Sequence, residues 1–154
     1  MSERDVEGLP GCYTCRGNAA ATLPARERVW RSEHWRVAHA FDSALPGWLV
    51  VVAATHVTSM DELSPAAAHE LGGLLRRLSI ALGDVVGCAK TYVMQFSEAE
   101  GFAHLHLHVV PRMPDQAPEH RGPRIFALLG RPDGQQVSTD ERDSLAERLS
   151  DALG

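Results

Sequence analysis

No stretch of this chain approaches the roughly 20 consecutive apolar residues that a membrane-spanning helix needs, and it contains no internal repeat and no low-complexity tract. Runs of basic residues are missing too. Fifteen Lys and Arg stand against twenty Asp and Glu, a net charge of -5, so the continuous positive stripe that duplex nucleic acid requires is not on offer. Neither bulk nucleic acid nor a membrane is an expected partner. The first residues, Met1 to Gly8, carry Glu3, Arg4, Asp5 and Glu7 and no apolar signal core, so a cytoplasmic location is expected. Cysteine is scarce and odd in number, three in all. Cys12 and Cys15 lie close together and Cys88 lies far away, which is no disulfide framework and raises metal or redox chemistry instead.

What is present is an ordinary globular composition, 44% apolar and 23% charged over 154 residues. That length suits one domain, residues 1–154, able to bury roughly 70% of its unfolded surface. Residues 28–41 alternate loosely between apolar and polar, as two short strands turning near Glu33 would. After the breakers Pro46 and Gly47 comes Trp48 to Ala54, a continuous β-branched run suited to a strand buried on both faces. Ser64 and Pro65 form an N-cap and first-turn proline, and Leu71, Leu74, Leu75, Leu78 and Leu82 follow at helical spacing up to a predicted C-cap at Gly83. Strands are predicted at 90–97 and 103–110. Five prolines between Pro111 and Pro132 predict an irregular extension, and Ser138 with Glu141 opens a last helix along Leu145, Leu149 and Leu153. The order implies an α+β fold with a mostly antiparallel sheet of about five strands, one main helix and a C-terminal helix.

Eight histidines stand out, because three of them fall within His104-Leu105-His106-Leu107-His108-Val109-Val110. In a strand this alternation sends the imidazoles to one face and the apolar residues to the core. Same-face rings stand roughly 6.6 Å apart, so a phosphate-sized group can touch the central ring and one neighbour. Three adjacent rings repel if all are charged, so at least some are neutral, fit to act as nucleophile, metal ligand or proton shuttle. The alternative is the solvated polar face of an edge strand.

The seven-residue row resembles the signature of the histidine triad superfamily, and Pro111-Arg112 after it is common there too. Cys12-Tyr13-Thr14-Cys15 resembles the N-terminal Cys-x-x-Cys of zinc-bearing bacterial members, and Gly47 to His56 resembles the apolar strand ending in histidine before the main helix. The likeness covers residues 12–112 and leaves 113–154 as an irregular extension plus helix. It implies a nucleotidyl hydrolase or nucleotidyltransferase: His106 attacks the α-phosphorus of a nucleotide conjugate to form a covalent nucleotidyl-histidine, and His108 donates a hydrogen bond to phosphate oxygen. His104 belongs to the same catalytic row. The resemblance also implies a structural zinc ion held by Cys12, Cys15, His56 and His104, a donor set suited to tetrahedral coordination, and a homodimer.

Departures from the family pattern matter as well. The glutamine and hydroxyl that usually precede the triad are replaced by Ser97-Glu98-Ala99-Glu100-Gly101-Phe102-Ala103. Ser97 and the backbone near Gly101 are then the candidates to approach phosphate, with Asp42 as the ribose partner or a turn residue and Arg112 as a phosphate fork. A protein that binds a nucleotide or metabolite but turns over poorly is the competing expectation. Trp30, Trp35 and Trp48 are read as core or as a base-binding wall.

Overall fold

The computed structural model describes residues 11–154, so the reading of Met1 to Gly8 lies outside the described residues. A short helix α1 (Tyr13–Ala19) starts from Cys12, whose sulfur accepts from the Cys15 N–H. Strands β1 (Trp30–Arg31), β2 (Trp35–His39) and β3 (Leu49–Ala53) follow. Then come helix α2 (Pro65–Val86), strands β4 (Lys90–Gln95) and β5 (His106–Arg112), and helix α3 (Thr139–Leu153). The five strands form one antiparallel sheet in the order β1-β2-β3-β5-β4. The fold is α+β. The histidine strand is therefore interior, flanked by β3 and β4, which removes the edge-strand reading.

One face of the sheet is the core. Val37, Leu49, Val51, Leu107 and Val109 bury against Leu71, Leu74, Leu78 and Leu82 of α2 and against Leu149 and Leu153 of α3. Ser64 caps α2 through a bond from the Ala67 N–H, but the helix continues one turn beyond Gly83. Val85 and Val86 pack against the core, and Gly87 supplies the left-handed cap at φ 72°. Capping of α3 is as the sequence predicts, with Ser138 Oγ accepting from the Glu141 N–H.

Strand β5 is displaced from its predicted span, starting at His106 rather than 103 and ending at Arg112. Before it, the Leu105 N–H bonds to the Val57 carbonyl instead of joining the ladder to β4. At its far end Pro111 is tolerated because β3 pairs with β5 only as far as Val109, so the missing N–H leaves no ladder bond unmade.

The other face carries the site. Directly opposed residues share a face, and the register sets Arg36 beside Val52 beside His106, and Ala38 beside Val50 beside His108. The extension after Met113 lies over part of this face as short 3-10 helical stretches, the longest Gly122–Leu128. It is pinned by Leu128, Asp42 and Ser43 carbonyls that accept from the Ala44, Arg131 and Val137 N–H groups, and its Ile125 joins a second cluster with Trp48 and Val110.

Candidate active site and metal cluster

The four predicted metal ligands converge. The ligating atoms of Cys12, Cys15, His56 and His104 all lie within 4.8 Å of one another. His104 Nδ1 is 3.5 Å from each sulfur and 3.2 Å from His56 Nδ1, which is 3.2 Å from Cys15 Sγ. Metal bonds of about 2.0–2.3 Å to nitrogen and sulfur give tetrahedral edges of roughly 3.3–3.8 Å, close to these four separations of 3.2–3.5 Å, so the donor set suits zinc. His104 is prepared for ligation: its Nε2–H donates to the Ala53 carbonyl at 2.7 Å, which leaves a lone pair on Nδ1. Burial lowers the pKa of its ring and keeps it neutral. Three separate parts of the chain meet here: the start of α1, the loop after β3 and the approach to β5.

Two residues on, the geometry reverses. His106 Nδ1 lies 2.8 Å from the His104 carbonyl. A carbonyl only accepts, so Nδ1 carries the proton and Nε2 keeps its lone pair. His108 is the opposite tautomer, because the Trp48 indole N–H donates to its Nδ1 at 3.0 Å and the ring proton must sit on Nε2. Burial pushes the His108 imidazolium down to about 4, with His106 nearby adding to the effect. The His106 and His108 rings stand edge to face, 5.1 Å apart.

Both rings line a pocket of about 410 Å³. Of the sequence-derived candidates, Asp42 and Ser97 also line it, whereas Gly101 and Arg112 stand outside the lining and His104 stays with the cluster. Ser97 is spoken for: its buried hydroxyl accepts from the His106 N–H at 3.1 Å and from Gln95 Nε2 at 2.8 Å, and lies 3.3 Å from the His106 carbonyl. It adopts φ 56°, the left-handed region unusual for a residue with a Cβ.

Five aromatic rings in the wall come from scattered positions. Tyr13, Phe41 and Phe102 form a triangle with centroids 5.6–6.1 Å apart, and Phe96 stacks edge to face on Phe126 at 5.5 Å. At one end the Tyr13 hydroxyl and Arg36 bind the two oxygens of Glu27, and Arg36 also holds Asn18. Burial and the Glu27 charge raise the Tyr13 pKa. Sequence reading named none of these five rings as wall residues; Trp48, which it did name, lies outside the lining, just before β3.

His39, by contrast, has no chemistry left to offer. It donates from Nδ1 to the Ala40 carbonyl and accepts at Nε2 from the Gly47 N–H, and burial lowers its pKa to about 4.

No protein-family model and no curated protein sequence matches this chain. Solved structures do. A HIT-like protein involved in cell-cycle regulation from Bartonella henselae superposes with a TM-score of 0.72 at 16% identity, over 95% of this chain and 98% of that one. A zinc-bound histidine triad family protein from Mycobacterium smegmatis gives 0.67 at 18%, over 92% of both. A histidine triad nucleotide-binding protein from Sulfolobus tokodaii gives 0.62 at 15%, over 81% of both. The likeness is one of architecture, and with it the chain has the fold of the histidine triad proteins.

Proposed function

We propose that this protein is a nucleotidyl hydrolase or nucleotidyltransferase that acts at the α-phosphate of a nucleotide conjugate through a covalent intermediate on His106. One observation carries the reading: the His104 carbonyl accepts a hydrogen bond from the His106 Nδ1–H and leaves a nucleophilic Nε2 on a ring that lines the pocket, beside a His108 whose Nε2 is a donor. A neutral imidazole attacks well near pH 7, and dividing the displacement into two steps lowers each barrier. The His108 N–H stabilises charge on the transferring group. The aromatic wall suits a flat base, and Asp42, which lines the same pocket, would accept from a ribose hydroxyl.

Zinc held by Cys12, Cys15, His56 and His104 would serve structure, fixing α1 against the approach to β5. The same proposal includes a cytoplasmic location and a two-fold dimer formed through a helix or a sheet edge, whose existence sedimentation checks. Among the described residues no helix is long and apolar enough to cross a membrane.

Trapping decides the enzyme claim. Incubation with adenylated and guanylated esters should add one nucleoside-phosphoryl mass to the wild type and none to His106→Ala, whose turnover should fall by at least about a thousandfold. Hydrolysis that survives in His106→Ala would overturn it. A slow binding protein is the second reading, favoured because the Ser97 hydroxyl is committed to the His106 backbone. Adduct formation followed by nucleotide release within a single turnover removes that reading.

A further inference from the structure

His108 is oriented by a residue outside the histidine row. Trp48 precedes β3, is fully buried, and meets His108 edge to face with its Nε1–H on Nδ1 at 3.0 Å. Phe126 closes the other side, packing on both rings at 5.1 and 5.7 Å. An indole N–H can only donate. Adding a proton to His108 Nδ1 therefore breaks this bond and sets two N–H groups against each other in a water-excluded interior, where an unmade hydrogen bond is costly. Rotating the ring is opposed by its edge-to-face contacts with Trp48, Phe126 and His106.

We propose that Trp48 is a positioning residue that locks His108 as a neutral Nε2–H donor, so that the site favours conjugates whose leaving group departs as a stable oxygen anion over those that release an amine. The inference rests on the nucleotidyl-transfer reading above. In the first step His106 Nε2 forms the P–N bond as the P–O bond to the leaving group breaks, and the electron pair stays on the departing oxygen. His108 keeps its proton throughout and stabilises charge by hydrogen bonding alone. In the second step water oxygen bonds to phosphorus, the P–N pair returns to His106 Nε2, and the water proton passes to solvent. An acyl or aryl oxygen leaves under these terms. An alkyl amine needs a proton that a locked neutral His108 does not give. Burial agrees with the geometry, holding the His108 pKa at about 4.

The test joins nitrogen-15 NMR of the histidine rings to kinetics on two probes: the p-nitrophenyl ester of adenosine or guanosine monophosphate, and an N-alkyl phosphoramidate of the same nucleotide. In the wild type, His108 Nδ1 should show the shift of an unprotonated ring nitrogen and Nε2 that of a protonated one. In Trp48→Phe both shifts should move toward a tautomer average. The kcat on the ester should fall about tenfold with KM within about twofold, and the ratio of ester to amidate rates should shrink. Benzothienylalanine at position 48 keeps the indole shape without the N–H and should behave alike, which covers a Phe variant that fails to fold. Unchanged ring nitrogens in these variants, or an unchanged rate ratio, overturn the proposal. A lock seen by NMR in a protein that turns over neither probe overturns nucleotidyl transfer and leaves the Trp48–His108 pairing standing. Turnover through a His106 adduct with an unprotonated His108 Nε2 overturns the present inference alone.

Discussion

The two ends of the histidine row are the same residue type four positions apart, yet they turn different nitrogens to their surroundings. At one end His104 turns a bare Nδ1 toward two sulfurs and a second imidazole. At the other, His108 has its Nδ1 filled by an indole N–H and carries its proton on Nε2. His106 between them is a third species, protonated at Nδ1 and bare at Nε2. The partner of the second nitrogen decides each outcome: the Ala53 carbonyl, the His104 carbonyl and the Trp48 indole in turn. One motif thus yields three differently presented imidazoles through three hydrogen bonds, none longer than 3.0 Å.

Removing the thiols from the cluster end should have the largest effect on the protein as a whole. Purified protein should hold about one equivalent of zinc, and Cys12→Ser with Cys15→Ser should lose it together with more than about 10 °C of Tm. Wild type that is metal-free and melts at the same temperature as the double variant would break the contrast between the two ends.

A smaller effect separates buried neutral rings from the rest. His39 and His108 are pushed down to about 4 in the folded protein from an ordinary value of 6.5. Their contribution is complete above about pH 7 and drains as pH falls from the unfolded toward the folded value, because the unfolded chain takes up the protons first. The loss is about 2 kcal/mol per ring between pH 7 and 5. Urea unfolding at the two pH values should show it, and His39→Gln should remove about half of the combined loss from these two rings. An equal pH dependence in that variant would mean that His39 is not held neutral by the fold.

The smallest effect probes the wall of the open end. Phe41→Ala removes one member of a ring triangle whose atoms are 42% exposed at that residue. It should raise KM by about threefold to tenfold, leave kcat unchanged and barely move stability. A fall in kcat instead would place Phe41 in the chemistry of the histidines.

Much of this was legible in the sequence where one local pattern determines one outcome. Strict alternation put His106 and His108 on one face, the Leu71 to Leu82 spacing announced α2, and the donor types of Cys12, Cys15, His56 and His104 pointed to a cluster once the family likeness grouped them. Strand and helix ends were less legible. Whether α2 stops at Gly83 or Gly87 depends on what Val85 and Val86 find to pack against, and whether a strand can pass through Pro111 depends on where its neighbour stops. The pocket wall was hidden for a deeper reason. Tyr13, Phe41, Phe96, Phe102 and Phe126 are neighbours only through strand register and through an extension whose prolines read as irregular, so no local window contains them. Trp48 was visible as a buried aromatic, but its indole nitrogen acquires meaning only when β3 and β5 are aligned.

Ser97 carries a different consequence. Holding a serine at φ 56° costs about 1–2 kcal/mol that a glycine is spared. Its hydroxyl is what clasps the main chain of His106. Glycine would relieve that strain but leave the His106 N–H and the Gln95 amide without their acceptor, a cost of the same order. The strained serine is therefore kept by the hydrogen bonds of its own side chain, and engineering of the protein should leave it alone.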